Sequence, residues 1–130
     1  MLKETITFDE LKEMRSSKKL LLFFLNNFGQ DANLKNLVQK LHKLKKEKCE
    51  AWLLAQNPEL TNGLIAAGAN IKAARNKALR LAVNHRRKSV AEILIDNGAD
   101  LTDVPHWFAS RGESEMAKML QHAVRMTNLM

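Results

Sequence analysis

The chain has no tyrosine, and aromatic residues of all kinds make up only 5% of it. Its core must then be built from Leu, Ile, Val, Ala and Met, a composition that suits closely packed helices better than a β-sandwich. A single cysteine, Cys49, excludes an internal disulfide framework and fits a reducing compartment. Two prolines and five glycines exclude collagen-like and low-complexity sequence. The longest apolar run, Leu20 to Leu25, is six residues, far short of the ~20 that span a bilayer as a helix. The first residues, MLKETITFDELKEM, carry acids where a signal peptide needs an apolar stretch. These absences lead us to expect a cytoplasmic or nuclear protein without a signal peptide, or one delivered into a host cell by a route that needs none.

The residues that are present describe an ordinary globular chain, 45% apolar and 27% charged, and 130 residues fit one domain. The net charge of +7 is unevenly placed. Between Lys72 and Lys88 stand seven basic residues (Lys72, Arg75, Lys77, Arg80, Arg86, Arg87 and Lys88) and no acid, so this one segment equals the whole excess. A second basic stretch runs from Lys35 through Lys40, Lys43 and Lys45 to Lys46. Basic surface of this density attracts acidic partners, whatever their class.

Along the chain, Thr7 with Glu10 three residues on predicts a capping box and a short helix to about Arg15. Ser16 and Ser17 break it and can cap a second element, Lys18 to about Phe28. That element is apolar on all sides, and its helical neighbours favour a buried helix over a strand. Gly29 to Asn33 reads as a loop. Leu34, Leu37, Val38, Leu41 and Leu44 trace one face of an amphipathic helix. Glu47 to Ala55 predicts another, with Trp52 and Leu53 inward. Asn57 followed by Pro58 gives a cap and an N1 proline for the next. Helices are then expected from Asn76 or Lys77 and from Lys88 or Ser89, with a last pair within 105–122.

Two phrases punctuate this pattern: LIAAGANI, Leu64 to Ile71, and LIDNGADL, Leu94 to Leu101. In each, a Leu-Ile pair closes an apolar helix face and Gly68 or Gly98 can take the left-handed conformation that ends the helix. Asn70 or Asp100 then favours a turn. A recurring phrase of this kind marks a recurring structural unit.

The segment Lys77 to Leu101, KALRLAVNHRRKSVAEILIDNGADL, resembles an ankyrin repeat. Leu79, Ala82 and Val83 match the family's first-helix core, Val90, Ile93, Leu94 and Ile95 the second, and Gly98, Ala99 and Asp100 its closing phrase. Flanking units fit more loosely, upstream through Trp52, Leu60, Leu64, Ile65 and Gly68 to Asn70, downstream through Pro105, His106 and Gly112. The resemblance therefore covers residues 47–122 as three units, behind residues 1–46 as an N-terminal helical cap, in which Lys18 to Leu41 is either an eroded fourth unit or an unrelated helical cap. The family's Thr-Pro pair reads Lys77-Ala78 here, its histidine Arg80 and its mid-repeat glycine Arg86.

The resemblance implies an all-α, short α-solenoid of stacked helix-turn-helix repeats that binds protein partners along a concave strip of turn tips and first helices. Carried over position by position, that strip contains Ala73, Ala74, Asn76, Asn84 and His85, and downstream Ser110 and Arg111. Upstream, Leu54 and Ala55 are either an apolar contact patch or covered by a neighbour. Arg86, Arg87 and Lys88 fall at the base between two helices, and Arg75 and Arg80 share the acid-free run. Trp107 is either an exposed binding anchor or packing against the preceding loop.

Catalytic chemistry finds little to use. His42 and Cys49 share one helix face only if the helix runs straight through, and no acid is evidently placed to orient the imidazole. The repeat frame instead puts Cys49 in the core. His42, His85, His106 and His122 show no metal-ligand spacing, and His106 matches the family's structural histidine. No phosphate-binding glycine loop is present. The expectation is a protein without cofactor or metal, not an enzyme, that binds a partner with an acidic surface as adaptor, inhibitor or effector. The alternatives are electrostatic association with nucleic acid or an anionic membrane, which lacks aromatic interleaving in support, and a dimerising structural subunit.

Overall fold

Thr7 caps the first helix as its spacing predicts: the Glu10 N–H donates to Thr7 Oγ1 at 3.1 Å while the Thr7 N–H donates to Glu10 Oε1 at 3.3 Å. The computed structural model of the chain describes residues 2–99. Within them run β1 (Thr5–Thr7), α1 (Phe8–Glu13), α2 (Lys18–Phe28), β2 (Asp31–Asn33), α3 (Leu34–Lys43), α4 (Glu47–Leu54), α5 (Pro58–Ala66), α6 (Ala73–Asn84) and α7 (Lys88–Asp96). The described residues are thus mostly helical, with one two-stranded ribbon.

The apolar run forms α2, whose Leu20, Phe23 and Phe24 are buried while Leu22 stays 49% exposed. The end of the expected 29–33 loop is instead a strand. Asp31–Asn33 pairs antiparallel with β1, placing Ala32 opposite Ile6, and both side chains are buried. Three residues are too few for the alternation that betrays a strand in sequence. Asn33 then caps α3 by accepting from the N–H groups of Lys35 and Asn36.

In α3 the apolar face is buried as its period demands, at Leu34, Leu37, Val38 and Leu41. This helix packs on both α4 and α5; α4 in turn packs on α6, and α5 on α7. The helix pairs α4/α5 and α6/α7 therefore lie side by side, α4 against α6 and α5 against α7. The carbonyls left open at the end of α4 are met by side chains from both neighbours. Thr61 Oγ1 lies 2.6 Å from the Leu54 carbonyl, and Arg87 Nη1 donates to the Ala55 carbonyl at 2.7 Å. Leu54 and Ala55 are fully buried, so of the two alternatives for this pair the covered one holds, and no apolar contact patch is present there.

The Gly68 and Gly98 phrases end α5 and α7 in Schellman turns. At φ 96° and 94°, they let the Ala69 and Ala99 N–H groups return to the Leu64 and Leu94 carbonyls, each at 2.9 Å. Three more helices end in the same bonding pattern without glycine. Arg15, Lys45 and Arg86 hold φ 57°, 54° and 55°. The following N–H groups of Ser16, Lys46 and Arg87 reach Leu11, Leu41 and Ala82.

Candidate functional site

Two clefts share Trp52 in their linings, and the turn between α1 and α2 lines both. The larger, of about 520 Å³, lies between Ser17–Leu20, Leu44–Cys49 and Lys77. The smaller, of about 160 Å³, is bounded by Met14, Arg15, Gln56, Leu81, His85 and Arg87. Helix periodicity explains why α4 contributes Trp52. Its inward face is taken by Glu50, Ala51, Leu53 and Leu54, which leaves Cys49 and Trp52 half-buried on the flank. Cys49 is therefore a cleft residue and not the core residue that the repeat frame implied.

Lys19, Lys45, Lys46, Lys48 and Lys77 all line the larger cleft, against one acid, Glu47. Among the described residues none of these lysines pairs with a carboxylate. The ion pairs there are Lys3–Glu10, Lys12–Asp9 and His42–Glu50. Lys46 instead holds its ammonium 5.7 Å from the Phe23 ring centre. The result is a predominantly basic concave surface with Leu20, Leu44, Cys49 and Trp52 also in its lining, a shape that concentrates anions from solution.

His42 and Cys49 do not share a continuous helix, because α3 ends at Lys43 and the left-handed Lys45 redirects the chain. Contrary to the sequence reading, an acid does meet the imidazole: His42 Nε2 is 2.6 Å from Glu50 Oε2. The same oxygen accepts from the Asn70 N–H at 2.7 Å. The Glu50 side chain is 2% exposed, so a buried carboxylate ties α3, α4 and the loop after α5 together. His42 and Glu50 line a separate cleft with Leu41, Lys45, Glu47 and Asn70, whereas Cys49 opens on the lysine-lined cleft beside Trp52. Among the described residues no three His, Cys, Asp or Glu side chains gather into a group able to hold a metal ion.

Comparison with family models, with curated proteins and with solved structures finds no match to this chain. The site is consequently judged on its own geometry.

Of the residues expected to contact a partner, Arg75, Arg80, Asn84, His85, Arg86 and Lys88 are exposed. Ala73 is 1% exposed and belongs to the core, which removes it from any contact surface. Ala74 is half-buried against that core. Ala74, Arg75 and Asn76 form one left-handed turn at φ 54°, 58° and 64°, so the right-handed part of α6 starts at Lys77, where the sequence places it. Arg80 turns back to the Ala74 carbonyl at 3.4 Å. Arg87 is engaged structurally on Ala55 and is only half exposed. Trp107, Ser110, Arg111 and His106 lie outside the described residues.

Sequence reasoning passed over Arg15, Lys19, Lys48 and Trp52 as site residues. The charge of the KLKKEK segment, Lys43 to Lys48, was the available signal. Its convergence with Lys19 and Lys77 depends on tertiary packing that no local pattern encodes.

Proposed function

We propose that this protein is a non-catalytic interaction module that binds a partner protein through an acidic surface, as adaptor, inhibitor or effector. The observation that carries the reading is the gathering of five lysines, none paired with a carboxylate among the described residues, around one concave surface that shares Trp52 with the cleft of Arg15 and Arg87. Unpaired charge of one sign is costly to concentrate, and its use is to steer and select an oppositely charged partner. The paired stacking of α4 on α6 and α5 on α7, closed by glycine Schellman turns, supports an ankyrin-like arrangement for residues 47–99. Among the described residues no helix is long and apolar enough to cross a membrane.

The test is an affinity capture from nuclease-treated cell lysate at moderate salt. The intact chain is compared with a bait carrying Lys45→Glu, Lys48→Glu, Lys77→Glu and Arg86→Glu. A discrete protein held by the first and lost by the second is the expected result. Retention of nucleic acid alone, from untreated lysate and only at low salt, would replace this reading with sequence-blind phosphate binding.

A further inference from the structure

Resting on the protein-binding reading, we propose that the paired clefts at Trp52 are the docking groove, and that its occupant is an acidic polypeptide segment carrying an apolar anchor residue. The charge pattern selects the sign of the ligand, and three features select its class.

First, apolar side chains line the cleft beside its lysines. Leu20 is buried beneath the cleft, Trp52 is half-buried, and Leu44 stays 45% exposed between lysines. An apolar side chain of a ligand seated there would cover Leu44 and remove that surface from water. Second, the cleft is compact: about 520 Å³ falls within the size of pockets that enclose side chains and small molecules. A nucleic-acid backbone asks instead for a track of cations beside free aromatic faces, and Trp52 is packed against the core. Third, the cations of the larger cleft are all lysines, point charges on flexible stems that can follow carboxylates scattered along an extended segment, with Arg15 and Arg87 added in the smaller cleft. Basic residues even occupy the left-handed turn positions bordering the groove, Arg15 and Lys45, where glycine is the unstrained choice.

The experiment uses the full chain and a fluorescently labelled Glu-rich peptide with one central Leu, read by anisotropy. Lys45→Glu with Lys48→Glu is expected to weaken binding about tenfold or more. Arg75→Glu with Arg80→Glu, an equal charge change at exposed positions outside the cleft lining, changes it less than about threefold. Replacing the central Leu of the peptide with Ser weakens binding about fivefold. Equal losses from both charge reversals, or indifference to the central Leu, overturn the groove in favour of diffuse attraction. An oligothymidylate that competes as well as the peptide overturns its ligand class, and self-association that blocks the peptide overturns it in favour of a second copy. If the captured partner is kept by the Lys45→Glu, Lys48→Glu bait, the groove falls while the protein-binding reading stands. A chain that captures no protein overturns both.

Discussion

Arg15, Lys45 and Arg86 stand where Gly68 and Gly98 stand in the other two Schellman turns, and replacing all three with glycine separates what they do for the fold from what they do for binding. A left-handed residue with a Cβ is disfavoured by roughly 1–2 kcal/mol. Glycine removes that strain and adds about 0.5–1 kcal/mol of unfolded-chain entropy. It also forfeits a cation at a helix C-terminus, worth about 0.3–1 kcal/mol at an exposed site. Taking central values, the two losses nearly offset the relieved strain, so each substitution is expected to stabilise by only about 0.1 kcal/mol, and the three on separate turns by about 0.3 kcal/mol if they add. For a chain of this size that is about 1 °C in Tm, close to no change. Urea denaturation and thermal melts of the triple variant read the first effect, and the acidic-peptide titration reads the second, a weakening of several-fold. Lys45→Gln is the control: it keeps the strain and loses the charge, so it lowers stability slightly while weakening binding. A triple glycine variant destabilised by more than about 1.5 kcal/mol, as loss of the cations without relief of strain would give, or Lys45→Gln as stable as Lys45→Gly, would refute the reasoning.

Gly63 approaches the N-terminal segment so closely that an added Cβ would lie 2.6 Å from the Lys3 carbonyl oxygen and 2.8 Å from Leu34 Cδ1; Gly63→Ala should cost about 1–3 kcal/mol by chemical denaturation, although alanine is the better helix former. Glu50→Ala removes the buried carboxylate that joins His42 to Asn70 and is expected to destabilise by about 2–4 kcal/mol, whereas Glu50→Gln, which keeps an acceptor for the Asn70 N–H, costs less than half as much. A double-mutant cycle with His42→Ala should return a coupling of about 1 kcal/mol. Arg87→Met strips the Ala55 carbonyl of its donor and should lower the unfolding free energy by about 1–3 kcal/mol, while Arg86→Met, one residue away and exposed, loses only a cation at a helix C-terminus and costs about 0.3–1 kcal/mol.

Much of the helical framework was legible because it is written in short-range chemistry. The Thr7 capping box, the Ser17 cap, the Asn57-Pro58 start and the two Gly-Ala phrases all mark element ends where the structure has them. The period of α3 also named its buried face. What escaped depends on contacts between distant segments. The three-residue strand Asp31–Asn33 exists because Ile6 and Ala32 bury each other. The Glu50 carboxylate finds His42 only because Lys45 turns the chain left-handed, a conformation that nothing in a lysine announces. For the same reason the site was drawn on the acid-free run, Lys72 to Lys88, when Lys77 and Arg87 of that run join cleft walls built mainly from α2, the α3–α4 turn and Trp52. Ala73 was misplaced because its match to a turn-tip position carries no information about burial.

The central claim is that an acidic ligand seats on the groove at Trp52, and heteronuclear NMR of the isotope-labelled full chain during titration with the Glu-rich peptide tests it most directly. The account predicts that amide shifts concentrate in the α1–α2 turn, in Leu44 to Trp52 and in Leu81 to Arg87, with the Trp52 indole N–H among the largest. Shifts that spread over α5 and α7, or follow lysines regardless of position and leave the Trp52 indole unmoved, would contradict it.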